Sequence, residues 1–341
     1  MTPNGPKLTR RDALRISAVT GVAALAGGGL VADLVRRAGL HRISVSKARL
    51  GTLVGITVVH PDEATAREMV ADAFAEIDRL DALLSRHRPD TPLALLNRVG
   101  RVEGAAPELL HVLRAAQDCA HETDGAFDPT VAPLVDLYRK HFARSTEPPS
   151  RSLVGAAMAK VGHQALWVGD DAAGLDRPGM AVTLDGIAKG YVVDATVAVL
   201  ARAGAERVMV DAGGDIASGG PGSVDEPWRI GLQDPLFPDR LIGTVSLDGR
   251  SVATSGDYMQ AYSTDRRFNH LIDPRTGYSP DHTSGVSVVA NSAMEADALS
   301  TSALVLGPVA GLAFLEGTPG VEGMIVGKDG SFVVTSGMPA A

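Results

Sequence analysis

Trp228-Arg229-Ile230-Gly231-Leu232-Gln233, Ile242-Gly243-Thr244-Val245-Ser246-Leu247 and Ser251-Val252-Ala253-Thr254 follow one another closely along the chain. Each run is short and rich in apolar or β-branched residues, and Asp-Pro and Asp-Gly turn pairs stand between them. Parallel neighbours need a crossover of a dozen or more residues, usually helical, and no helical pattern lies between these runs. Antiparallel pairing is therefore expected. With the helices read on either side, the chain falls in the α+β class, with mixed, largely antiparallel sheets and packed helices, and not among doubly wound parallel sheets.

Working upstream, short units alternate: a strand at 181–184, a glycine turn, a helix at 188–203, a strand at 208–210, then Ala212-Gly213-Gly214-Asp215. Leu53-Val54-Gly55-Ile56-Thr57-Val58-Val59 reads as a strand, and Pro61-Asp62-Glu63 opens a helix through Leu84 with apolar positions at Met69, Val70, Ala73, Ile77, Leu80 and Leu84. A second helix covers 107–122, with Cys119 as a small buried filler, and Asp124-Gly125-Ala126-Phe127-Asp128-Pro129 has turn chemistry. Residues 144–152, with Ser, Thr and two Pro, read as an exposed loop before a helix at 152–160. Downstream, strands are expected at 285–290, 324–326 and 332–335, and helices at 293–306 and 309–315.

The 341 residues are 45% hydrophobic and 21% charged, enough to bury a core, which excludes intrinsic disorder. A single cysteine excludes a disulfide scaffold. Aromatics are only 4% and the net charge is -8, so neither base stacking nor phosphate tracking is supported and no nucleic-acid partner is expected. The charge is uneven: residues 1–49 hold nine Lys/Arg against two acids, or +7, leaving -15 for the remainder. Thr9-Arg10-Arg11-Asp12-Ala13-Leu14 resembles the twin-arginine export pattern, and 17 uncharged residues follow at 16–32. Residues 1–38 are read as an export signal and 39–341 as the folded domain, with a periplasmic or extracytoplasmic location. A retained membrane anchor stays open, because the uncharged run approaches bilayer-spanning length.

No H-E-x-x-H, C-x-x-C, G-x-S-x-G or Walker A pattern occurs in the sequence. Four constellations combine permissive glycine with polar side chains. In Thr183-Leu184-Asp185-Gly186-Ile187-Ala188-Lys189-Gly190-Tyr191-Val192-Val193-Asp194, a strand ending in a glycine turn at a helix start suits a phosphate, and Lys189 adds a charge. An ordinary strand-to-helix connection would look the same. Asp211-Ala212-Gly213-Gly214-Asp215 lets backbone approach a ligand closely. Phe268-Asn269-His270-Leu271-Ile272-Asp273-Pro274-Arg275-Thr276-Gly277 packs an imidazole, a carboxylate and a guanidinium together, and His is suited to taking a hydroxyl proton, although a lone His is often structural. In Glu295-Ala296-Asp297-Ala298-Leu299-Ser300-Thr301, Asp297 and Thr301 are four apart on a helix, so their oxygens can meet one hard cation; a buried helix start whose side chains satisfy backbone groups is the plainer alternative.

The order of these blocks, together with Gly51-Thr52, Ser85-Arg86-His87-Arg88-Pro89-Asp90, Gly125-Ala126-Phe127-Asp128-Pro129-Thr130-Val131 and Thr254-Ser255-Gly256-Asp257-Tyr258, resembles the ApbE family of FAD:protein FMN transferases from about Leu50 to Leu306. Within it, the Leu184-Asp185-Gly186-Ile187-Ala188 form and the twin-arginine start resemble the accessory flavoproteins of nitrous oxide reductase. The resemblance implies an ApbE-like fold and Mg2+-dependent transfer of FMN from FAD to a Thr or Ser hydroxyl of an exported or membrane protein, releasing AMP. It implies Mg2+ held by Asp297, Thr301 and a main-chain carbonyl near Gly186, with His270 deprotonating the acceptor. It places Leu50, His87, Ala126, Phe127, Asp128, Thr183, Lys189, Ser255 and Ile272 around FAD. Leu50 stands where the family usually has Met, His87 where a Tyr commonly stacks on the adenine, and Thr183 and Asp185 depart from the usual glycine block. These departures favour one alternative, a non-catalytic FAD- or FMN-binding accessory protein, and a pyrophosphatase that gives FMN and AMP would have the same sequence features.

Overall fold

The computed structural model describes residues 22–24, 39–222 and 227–338. Strand β1 (Val22–Ala24) belongs to the segment read as an export signal and pairs with a later strand; the rest of that signal lies outside the described residues. Strands β2 (His41–Arg49) and β3 (Thr52–His60) form a hairpin closed by Leu50 and Gly51, at φ of 53° and 72°. Two-residue turns whose twist matches their strands can require positive φ at both positions, which glycine adopts freely and leucine does not. Helix α1 (Glu63–Leu84) starts where the Asp62 carboxylate accepts the Thr65 N–H, and it buries the apolar stripe expected from the sequence. Helices α2 (Pro92–Val99), α3 (Pro107–Glu122), α4 (Ala132–Phe142) and α5 (Arg151–Met158) follow. Among them sits a small antiparallel sheet of β4 (Arg101–Glu103), β5 (Leu166–Val168) and β6 (Ala172–Leu175), in the order β4-β6-β5.

Helix α6 (Ala188–Arg202) then leads to the hairpin of β7 (Arg207–Ala212) and β8 (Asp215–Gly219), closed by Gly213 and Gly214, both at positive φ. Strands β9 (Trp228–Gln233) and β10 (Leu241–Leu247) pair antiparallel, and β1 lies on the other edge of β9. Strand β11 (Ser251–Gly256), β12 (Thr283–Ala290), helix α7 (Ala293–Gly317), β13 (Glu322–Gly327) and β14 (Phe332–Val334) complete the chain. The main sheet has eight strands in the order β14-β13-β12-β11-β8-β7-β3-β2, with antiparallel pairing throughout.

The α+β, antiparallel reading holds. One detail differs: β9 and β10 pair as expected, but β11 leaves them and enters the main sheet between β8 and β12. The inner strands of that sheet are covered on both faces. Met209, Ile216, Val252, Val289 and Met324 point toward Trp228, Ile230 and Leu232 of β9, while Val208, Val210 and Ala217 point toward the helices. This two-sided covering buries every residue of β11 and β12, their Ser and Thr included.

Residues 181–184 were expected to form a strand and do not. The Asn97 side chain takes both backbone groups of Val182, accepting its N–H at 2.6 Å and donating to its carbonyl at 2.8 Å. Thr183 N–H donates to the Pro129 carbonyl. The extended segment is therefore satisfied by a side chain and a turn instead of a neighbouring strand. The two helices expected at 293–306 and 309–315 are one element broken at Gly307, whose φ of 86° precedes Pro308.

Helices α6 and α7 cross at Gly190, where a Cβ would lie 2.1 Å from the Ala293 carbonyl oxygen. The Asp194 carboxylate accepts the N–H groups of Ala293 and Met294 at 2.8 and 2.9 Å, fixing the start of α7 against α6. Replacing Gly190 by Ala is expected to cost about 2–3 kcal/mol in urea unfolding, because backbone and not a flexible side chain must move. Gly317→Ala, which meets nothing within 4 Å, is the control and should stay within about 0.5 kcal/mol of the unchanged protein.

Candidate functional site

A cleft of about 550 Å³ opens where eight segments converge. They are the β2–β3 turn, the end of α1, the turn before α4, residues 183–189, the β7–β8 turn, the end of β11, the loop after it, and the first turns of α7. Leu50, His87, Ala126, Phe127, Asp128, Thr183, Gly186, Lys189, Ser255, His270, Ile272, Asp297 and Thr301 all line it. Every residue that the family resemblance assigned to the site is thus brought to one place, although they span residues 50 to 301, while Asp273 and Arg275 of the 268–277 block pair with each other and do not line the cleft.

Asp297 and Thr301 lie on the first turns of α7 and face residues 186–190. The Asp297 carboxylate, 3% exposed, accepts the Gly190 N–H at 3.1 Å. Thr301 Oγ1 lies 3.1 Å from Ser255 Oγ, which also meets Ser300 Oγ at 2.8 Å. A Cβ on Gly186 would come within 3.0 Å of Thr301 Oγ1, so the glycine allows this main chain to lie against the threonine. Asp215, at the start of β8, is buried and makes a close ion pair with Lys189. Burial, and then repulsion from Asp215, push Asp297 well above the usual carboxylate range. Burial raises Asp215 as well, against the pull of Lys189. Burial opposes the charge on Lys189, yet Asp215 and Asp297 hold its pKa above the ordinary value.

Two buried carboxyls therefore share one ammonium. The Asp297 carboxylate, the Thr301 hydroxyl and the Gly186 carbonyl are hard oxygen donors of the kind that could hold a magnesium-like cation. With one carboxylate, one hydroxyl and one carbonyl, further oxygens would have to come from substrate or water.

His270 reaches the cleft from the loop between β11 and β12. Its Nδ1 is buried and makes no hydrogen bond among the described residues. Burial pulls its pKa down to about 4, with Asp185 acting in the opposite direction, so the ring is neutral at pH 7 and can accept a proton. Asp128 lines the cleft with its carboxylate already engaged: Oδ1 accepts the N–H and hydroxyl of Thr130, and Oδ2 accepts the His163 N–H. It shapes the turn that carries Ala126 and Phe127. The departures at His87 and Asp185 meet in space, with His87 Nε2 3.7 Å from Asp185 Oδ1 and Arg86 3.9 Å from the same carboxylate.

The sequence reading gave no role to Asp215, Arg139 or Tyr262. Asp215 was visible as the acid closing the Gly213-Gly214 turn, but its pairing with Lys189 is a tertiary contact. Arg139 and Tyr262 also line the cleft, from α4, which was not expected, and from the loop after β11.

A buried cluster of oxygen donors beside a lysine and a neutral imidazole defines a site suited to a phosphorylated ligand. Residues 50–325 match the model of the ApbE family. The chain is 32% identical over 271 residues to the FAD:protein FMN transferase of Klebsiella pneumoniae, covering 76% of this chain and 77% of that one. It is 30% identical over 301 residues to the FAD:protein FMN transferase of Vibrio cholerae, covering 86% and 90%. Its fold matches the ApbE protein of Thermotoga maritima with a TM-score of 0.77 at 28% identity, covering 87% of this chain and 97% of that one. The flavin transferase ApbE from Vibrio cholerae matches with a TM-score of 0.76 at 27% identity, covering 87% and 98%. The chain belongs to the ApbE family and is a transferase.

The low pKa of His270 has a thermodynamic consequence. The unfolded chain takes up this proton near pH 6.5 and the folded chain only near pH 4, so the folded state loses stability as pH falls through that window. Comparing urea unfolding at pH 7 and pH 5, the unchanged protein should lose about 2 kcal/mol more than His270→Asn. Equal losses would mean that the ring titrates normally in the folded protein.

Proposed function

We propose that the protein is a FAD:protein FMN transferase that uses Mg2+ to move FMN from FAD to a Thr or Ser hydroxyl of an exported or membrane protein, releasing AMP. The observation that carries this reading is the convergence of Asp297, Thr301 and Gly186 with His270, Lys189 and the remaining candidate residues in one cleft. The reaction joins the acceptor oxygen to the FMN-side phosphorus and breaks the bond between that phosphorus and the bridging oxygen, which leaves with AMP. The hydroxyl proton passes to His270, whose ring is neutral at the working pH.

Asp297, Thr301 and the Gly186 carbonyl would hold the cation. When bound, it supplies the positive charge that phosphoryl transfer needs on the phosphate oxygens. Lys189 is held charged by Asp215 beside this set and adds a fixed positive charge. Leu50 and Phe127 contribute apolar lining for an aromatic ring, and burial of the walls strengthens each charge inside. Export through residues 1–38, and action in the periplasm or another extracytoplasmic space, belong to the same proposal and rest on the twin-arginine-like start.

Intact-mass spectrometry of an acceptor domain from an ApbE substrate, incubated with the protein, FAD and Mg2+, should show one added FMN with matching AMP. Neither should appear when the metal is chelated. Asp297→Ala should lose at least about 100-fold in rate while remaining folded. His270→Asn should slow transfer about 100-fold or more with FAD affinity retained. Free FMN and AMP without an acceptor adduct would instead establish the pyrophosphatase. Retained flavin with no turnover, against an acceptor proven with another transferase, would establish a binding protein.

A further inference from the structure

Residues 257–282 join β11 to β12 and carry His270 with no helix or ladder strand of their own. Connections of this length are uncommon in a compact domain, and a group that must be placed to within an ångström needs them held. At the root of the loop the Asp257 side chain is 2% exposed, and two cations face it. Lys328 Nζ, from the β13–β14 turn, lies at 3.4 Å, and Arg266 Nη1, from the loop itself, at 3.8 Å. The Asp257 N–H donates to the Ser284 carbonyl at 2.9 Å, tying the root to β12.

Arg266 stands at φ 58°, in the left-handed region that a non-glycine residue enters at a cost. Its guanidinium donates to the Pro235 carbonyl at 2.8 Å, and its own carbonyl accepts from Lys328 Nζ at 3.3 Å. That carbonyl also accepts from Asn269 Nδ2 at 3.1 Å, while Asn269 Oδ1 accepts the Leu271 N–H at 2.9 Å. Asn269, 1% exposed, therefore brackets His270 from both sides along the chain. The His270 N–H donates to the Gln260 carbonyl at 3.1 Å. A continuous path of ion pairs and hydrogen bonds runs from Asp257 to the backbone of the imidazole.

We propose that Asp257, Arg266, Lys328 and Asn269 form a positioning relay that sets where His270 stands in the cleft, so that the transfer rate depends on a charge cluster that never touches the substrate. None of the four lines the cleft. The inference rests on the reading of His270 as proton acceptor. The positive φ of Arg266 separates positioning from plain stabilisation. Glycine adopts this backbone freely, so Arg266→Gly relieves the strain while removing the guanidinium contacts. A purely structural cluster would lose stability and rate together; a positioning relay loses rate out of proportion.

The test measures kcat, the KM for FAD and the melting temperature of Arg266→Gly, Lys328→Met and His270→Asn in the full chain. For Arg266→Gly the melting temperature should change by no more than about 3 °C, the KM for FAD by no more than about twofold, and kcat should fall about 10- to 100-fold. Lys328→Met, a partly exposed position that carries the test if the glycine variant does not fold, should lower kcat about 3- to 10-fold with KM unchanged. Wild-type kcat in either variant, or a loss matched by equal loss of FAD affinity, overturns the relay. If His270→Asn is slow while the other two are normal, only the relay fails. If His270→Asn also turns over normally, the relay and the reading of His270 fall together.

Discussion

The close approach of α6 and α7 at Gly190 governs the geometry of the cleft. Only a residue without a Cβ lets the Ala293 carbonyl lie where it does, and the Asp194 carboxylate locks that crossing by accepting two N–H groups at the start of α7. The same crossing brings Asp297 to the Gly190 N–H and sets Thr301 against Gly186. A few tenths of an ångström of separation would pull the oxygen donors apart. The packing constraint and the chemical site are one contact, so residues 185–194 combine small residues with charge.

Electrostatics make the second layer. Among the described residues, the interior near α7 holds Asp215 and Asp297 against Lys189 alone, an arrangement short of one positive charge and relieved by a cation or by retained protons. In the same cleft, burial keeps His270 neutral. The acid-rich cluster and the neutral imidazole line one cavity, and the proposed reaction rests on that arrangement. Asp128 lines the cleft while its oxygens accept from Thr130 and His163, so its carboxylate also fixes the turn that forms this wall.

Much of this was legible in the sequence where a local rule applied. The apolar stripe of α1, the turn at Gly213-Gly214 and the i,i+4 pair Asp297 and Thr301 each follow from a period or a backbone preference, and all appear in the structure. The departure of β11 from its sequence neighbours was not legible, since β-branched runs specify a strand without specifying its partner. Residues 181–184 looked like a strand because they are apolar and extended; the Asn97 amide that replaces the neighbouring strand lies far away in sequence. The link from Asp257 through Arg266 to His270 depends on a positive φ at an arginine, which composition does not announce. Contacts that close over long sequence separation are what the sequence reading lacked, and Lys189 with Asp215 is the plainest case.

In the proposed reaction the cation and the proton acceptor face the same phosphate from opposite sides. A crystal structure with Mn2+ and FAD, using the anomalous signal of manganese, addresses it directly. The metal should lie between the Asp297 carboxylate, Thr301 Oγ1 and the Gly186 carbonyl, bound to a pyrophosphate oxygen, with the FMN-side phosphorus open toward His270. A metal peak elsewhere, or a flavin phosphate turned away from His270, would contradict it.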